Sequence, residues 1–138
     1  MELEYKNILV PVDGSKESHR AVEQGVYLAK LSGAEIILMT VVTPEKSTDQ
    51  AEDVGELKKK GYDCLSEVIH DIPKEMSVTP LVKIGTPADT IIEAAESEKA
   101  DLVIMGSRGL GPFETMVMGS VSNALVQKCT QCPVMIVR

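Results

Sequence analysis

The stretch Ala34 to Val42, AEIILMTVV, is nearly all apolar from end to end. A strand with one wet face alternates apolar and polar residues. A short run that is apolar throughout is buried on both faces, which is the mark of a parallel sheet covered by helices. The same theme recurs along the chain. Ile8 to Val12 is a short apolar run with Pro11 near its end, where a ladder N–H is not needed. Val78 to Ile84 is interrupted by Pro80, which places it at a sheet edge. Leu102 to Met105 and Val134 to Val137 complete a set of five.

Helical patterns separate these runs. Asp13-Gly14-Ser15 reads as a turn and cap before a helix from about Lys16 to Ser32, with Ala21, Gly25, Leu28, Ala29 and Ser32 on one face and Gly33 as its stop. Thr43 to Gln50 reads as a loop. A second helix is expected from about Ala51 to Ile72, on the spacing of Leu57, Gly61, Leu65, Val68 and Ile72; Lys58-Lys59-Lys60 falls mostly on its wet side. Gly85-Thr86-Pro87 opens a third, with Thr86 as cap, Pro87 at the first helical position and Ala88, Ile91, Ile92 and Ala95 inward. A fourth starts at about Gly119 with Val121, Ala124, Leu125 and Cys129 inward. The order βαβαβαβαβ is that of an open α/β parallel sheet with right-handed crossovers. Ligands of such sheets bind at the carboxyl ends of strands, where the strand order reverses.

One stretch carries chemistry. From Asp101 to Asn123 the chain reads DLVIMGSRGLGPFETMVMGSVSN, an apolar strand followed by G-x2-G-x9-G-S and a helix start. Glycine lets the backbone approach a ligand, and a helix N-terminus presents free N–H groups and partial positive charge. Ser120 and Ser122 can add hydroxyls in that first turn. The stretch therefore reads as two phosphate-handling elements, or as an ordinary strand-to-helix turn with a glycine start.

The spacing G-x2-G-x9-G-S, the opening Asn7-Ile-Leu-Val-Pro-Val-Asp-Gly-Ser15 and the ending Cys132-Pro-Val-Met-Ile-Val137 resemble the universal stress protein family, in its ATP-binding subclass. The resemblance covers nearly the whole chain and implies a single domain over residues 1–138. It implies a five-stranded Rossmann-like sheet of the adenine nucleotide alpha hydrolase type, in order 3-2-1-4-5 with helices on both faces. The switch point then lies between the first and fourth strands, whose carboxyl ends are Asp13 and Gly106. Carried over residue by residue, the adenine wall falls on Pro11, Val12, Asp13 and Val41, with Val41 backbone groups reading the base edge. Gly106, Arg108 and Gly109 fall along the ribose and first phosphates. Gly119, Ser120, Val121 and Ser122 hold the phosphates. ATP is the implied ligand, with ADP and AMP as alternatives and Mg2+ or Mn2+ bridging the phosphates. No dedicated carboxylate cage for a metal is visible. A homodimer through the terminal strand, residues 134–137, is also implied, and its bare apolar edge invites pairing.

Other classes fit less well. A net charge of −7 disfavours a general nucleic-acid binder and an anionic membrane surface. The charged start, Met1 to Lys6, lacks a signal-peptide core and no apolar run reaches membrane-spanning length, so a cytoplasmic protein is expected. There is no G-x4-G-K-[ST] and no nucleophile–base pair. His19 and His70 read as surface residues. The expectation is a nucleotide-dependent stress-response or signalling module, not an enzyme beyond weak ATP hydrolysis. The alternatives are a slow ATPase or nucleotide-transfer enzyme of the same fold, a flavin domain, which the scarcity of aromatics disfavours, and a dimerising relative that binds no nucleotide. Three cysteines make no disulfide framework. Cys129-Thr-Gln-Cys132 has CxxC spacing, but at the end of a helix the dipole opposes a thiolate, so these read as structural thiols.

Overall fold

The computed structural model describes residues 3–44, 53–107 and 119–138. The strands are β1 (Asn7–Pro11), β2 (Glu35–Val42), β3 (Val78–Ile84), β4 (Leu102–Gly106) and β5 (Val134–Val137). They form one parallel sheet in the order β3-β2-β1-β4-β5. The helices are α1 (Lys16–Ser32), α2 (Val54–His70), α3 (Pro87–Ser97) and α4 (Ser120–Lys128). β3 lies at an edge, which removes the conflict over Pro80: a proline on an outer strand can turn its missing amide to solvent.

Strand alternation divides the core into two layers. Ile8, Val10, Ile36, Leu38 and Ile104 pack with Ala21, Val22 and Ala29 of α1 and Leu65 and Val68 of α2. Leu9, Ile37, Met39, Val103 and Met105 pack with Ile91 and Ala95 of α3 and Leu125 of α4. Neighbours in the same strand thus serve opposite faces, which is why the strand sequences are apolar throughout. Gly61 belongs to the packing of α2: an added Cβ would lie 2.5 Å from Val82 Cγ1.

The local signals for helices and strands act as read, with three differences. Ser15 caps α1, its hydroxyl accepting from Ser18 N at 3.2 Å, and Gly33 ends the helix at φ 76°. Ser32 is exposed, and Leu28 half-buried, because the last turn of α1 leaves the sheet; the Ser32 hydroxyl donates back to Leu28 O at 2.8 Å. Thr86 occupies the cap position of α3, but its side chain makes no capping hydrogen bond. Val12, expected as the end of the first strand, lies just beyond β1, and Ala34 just before β2. Ala51, near the expected start of the second helix, lies outside the described residues. No helix among the described residues is long and apolar enough to cross a membrane.

Candidate functional site at the parting of β1 and β4

β1 and β4 are paired at Ile8↔Leu102 and Leu9↔Val103. Beyond Leu9 each strand follows its other neighbour. β1 stays with β2 as far as Pro11↔Met39, and β4 stays with β5 as far as Gly106↔Val137. A crevice therefore opens between their carboxyl ends, at the point where strand order reverses. Pro11 explains part of this. Val12 N donates to Met39 O of β2 at 2.7 Å, so by strand alternation the position of the missing Pro11 amide faces β4. The residue without a donor sits where the ladder has ended.

The β1 side of the crevice is a rigid turn. Thr40 Oγ1 donates to Val12 O at 2.9 Å, and Asp13 Oδ1 accepts from Ser15 N at 2.9 Å. Gly14 between them takes φ 87°, a conformation suited to glycine. The Val12 side chain is buried in the α1/α2 layer, and its N–H and carbonyl are bonded to β2 through Met39 O and Thr40 Oγ1; Asp13 is exposed on the rim. Val41 lies at the end of β2. Gly85 N donates to Val42 O, so the polar groups of Val42 face β3 and those of Val41 face the line of β1, where β1 has already ended.

The opposite side is built on Gly106 and Ser107. A Cβ on Gly106 would lie 2.8 Å from the carbonyl carbon of Glu17 and 2.9 Å from Ser18 N, so the first turn of α1 packs directly on β4. Ser107 is buried and ties three elements together. Its N–H donates to Val137 O at 2.7 Å, its carbonyl accepts from Gly119 N at 2.6 Å, and the Ser122 hydroxyl donates to the same carbonyl at 2.7 Å. The start of α4 is thereby fixed to the end of β4. Gly119 is the N-cap residue, with φ −75° and ψ 168°, and having no side chain it makes no capping hydrogen bond of its own. The N–H groups of Ser120, Val121 and Ser122 form the first turn of α4, where an α-helix has no internal acceptors.

The structure thus brings Gly106 and Ser107 beside Gly119 and Ser122. The Ser122 hydroxyl, expected as a phosphate donor, is buried and directed at Ser107 O and Gly119 O; what Ser122 has left to offer a ligand is its N–H. Arg108 and Gly109 lie outside the described residues. Ser107, Thr40 and the Glu17–Ser18 backbone were not singled out from sequence. Ser107 was hidden inside the glycine motif, and Thr40 is the one hydroxyl within an otherwise apolar strand core. Cys64 of α2 approaches the Thr40 hydroxyl; burial, and then Glu67, push its thiol pKa up. Among the described residues no three His, Cys, Asp or Glu side chains are grouped to hold a metal. A shallow depression lined by Leu3, Tyr5, Lys6 and Gly33 is at the other end of the sheet, where β1 and β2 begin, and has no such convergence of backbone donors.

An open parallel sheet with a crevice at its switch point and a glycine-started helix beside it defines a Rossmann-like α/β protein with the architecture of nucleotide-binding domains. The sequence profile of the universal stress protein family matches residues 4–138, and the chain belongs to that family. It is 34% identical over 146 residues to universal stress protein MJ0531 of Methanocaldococcus jannaschii, covering 97% of this chain and 82% of that protein. Among solved structures it is similar to MJ0577, at a TM-score of 0.84 and 26% identity over 98% of this chain and 96% of that one. It is also similar to a universal stress protein solved in complex with cAMP, at a TM-score of 0.77 and 28% identity over 99% of each chain.

Proposed function

We propose that this protein binds an adenine nucleotide, ATP foremost, in the crevice between β1 and β4, and acts as a nucleotide-dependent stress-response or signalling module. The observation that carries this reading is the glycine-started first turn of α4, held against β4 by Ser107 beside the parting of the strands. Three converging N–H groups and the helix dipole suit a phosphate. The base would lie against Pro11, Val12, Asp13 and Val41, with the Pro11 carbonyl and the Val41 polar groups turned toward the gap. The ribose and first phosphates would run along Gly106, Arg108 and Gly109. Gly119, Ser120, Val121 and Ser122 would hold the remaining phosphates, the last three through main-chain N–H groups and Gly119, whose own N–H is bonded to Ser107 O, by letting the phosphates approach. The relative that carries cAMP supports the adenine class of ligand. A Mg2+ or Mn2+ ion would be held chiefly by phosphate oxygens, since no cluster of three ligating side chains is available among the described residues. The reading extends to a cytoplasmic homodimer paired through β5.

Calorimetry with ATP, ADP and AMP tests it on the native protein and on Gly119→Val. The backbone of Gly119 is in the extended region, which valine adopts freely, so the substitution brings no backbone strain and adds a side chain at the helix start; circular dichroism checks that the variant is folded. Binding to the native protein and little to the variant is the expected result. Equal affinity in both removes the helix start from the site.

A further inference from the structure

The CxxC pair is the part of the molecule that nucleotide binding leaves unused. Cys129 is the C-terminal cap of α4, its N–H bonded to Leu125 O, and its side chain is buried in the α3/α4 layer. Cys132 stands two residues before β5 and packs, half-buried, against the same layer. The Cys129 thiol donates to Gln131 Oε1 at 3.3 Å, in the turn between the two cysteines, and neither cysteine is in a disulfide. The third cysteine, Cys64, is on α2, which packs on the other face of the sheet.

We propose that Cys129 and Cys132 form a site for thiol–disulfide exchange with a small-molecule disulfide, ending in an intramolecular bond that ties the end of α4 to the start of β5. Access sets the order of events. The Cys132 thiolate, the more exposed, attacks one sulfur of the small disulfide and expels a thiolate, giving a mixed disulfide. The Cys129 thiolate then attacks Cys132 Sγ and expels the second small thiolate. Two protein thiols are oxidised, the small disulfide is reduced to two thiols, and the two protein protons end on those products. The geometry suits the second step: the two cysteines flank the short turn that ends α4 and pack against the same layer.

The surroundings set the character of the site. Burial, then Cys129, a hydrogen bond to it and Asp101 push the Cys132 thiol up to about 11. A thiol seldom ionised attacks slowly and is a slow leaving group when its disulfide is reduced. The bond therefore forms slowly and persists, unlike that of a catalytic dithiol with a depressed pKa.

The test incubates the reduced full-length protein with oxidised glutathione, blocks remaining thiols with iodoacetamide and maps the peptides by mass spectrometry. The expected product lacks two hydrogens, joins Cys129 to Cys132 within one chain and carries an alkylated Cys64. Cys129→Ser should stop at a glutathionyl adduct on Cys132. Three alkylated thiols after prolonged incubation, a persistent adduct on Cys132 in the native protein, or a bond between two chains each overturns the proposal. The native protein's peptide map decides the matter even if Cys129→Ser fails to fold.

Discussion

The backbone of Glu17 lies so close to Gly106 that a Cβ on the glycine would sit 2.8 Å from the Glu17 carbonyl carbon and 2.7 Å from its Cβ. The relationship joins the first turn of α1 to the last residue of β4, across the point where the sheet divides. Gly106 has a packing role that its place in a glycine motif does not announce: it lets a helix rest on a strand. Two of the atoms in the way are backbone and cannot rotate aside.

Gly106→Ala should accordingly lower stability by about 1–3 kcal/mol, the usual cost of overpacking a tight contact. Chemical denaturation measures it. An unchanged midpoint and slope would show that α1 shifts without cost.

Ser122→Ala removes the hydroxyl that braces Ser107 O while leaving the Gly119 N–H on the same carbonyl. A loss of about 1 kcal/mol is expected for one hydrogen bond of this kind. Nucleotide affinity should fall only modestly, because the N–H of Ser122 remains. A complete loss of binding in a folded variant would return the hydroxyl to the ligand.

Turnover should be slow or absent. His19 and His70 are both exposed, and what the described residues bring to the crevice is chiefly backbone donors. Phosphate release from ATP and magnesium should run far below the enzyme median of about 10 per second. Steady hydrolysis near that rate would make the protein an enzyme.

The proposed β5 dimer can be probed through one amide. Val103 N donates to Pro133 O and Ser107 N to Val137 O, so by alternation the Met135 amide faces β4 and the Ile136 amide faces outward. Ile136→Pro removes an outward donor and spares the ladder to β4; Met135→Lys places a charge on an exposed side chain of the same strand. Light scattering should report a dimer for the native protein and monomers for both folded variants. Dimers in all three would locate the interface elsewhere.

Cys132 should be slow to alkylate. Its pKa rises from 9.0 to about 11, with Cys129 and Asp101 facing it, so its thiolate at neutral pH is about a hundredfold scarcer than an unperturbed one. The rate should climb tenfold per unit up to that range. The folded state also keeps this proton longer than the unfolded chain, so the group contributes a fall in stability as pH rises from about 9 to about 11 and nothing below. Rapid alkylation at pH 7, followed peptide by peptide, would contradict the burial of the thiol.

Much of this architecture was legible because it follows from local rules. β3, β5 and α1 have the bounds read from their apolar runs, turn glycines and caps, and Pro80 alone marked β3 as an edge. The Gly-Ser helix start and the Asp13-Gly14-Ser15 turn were likewise visible, since each is a property of three or four consecutive residues. The strand order came from family resemblance, not from the run of residues. Tertiary structure decided how each of these residues is used. Ser107, Ser122 and Gly119 are separated along the chain, and only folding sets one carbonyl against both an N–H and a hydroxyl. Gly106 meets α1, Val12 turns its side chain into the core, and Thr40 reaches across from β2. A residue's type limits what it can bond; its partners come from elements brought close by burying the two apolar layers, and those distances are not written in any single stretch of sequence.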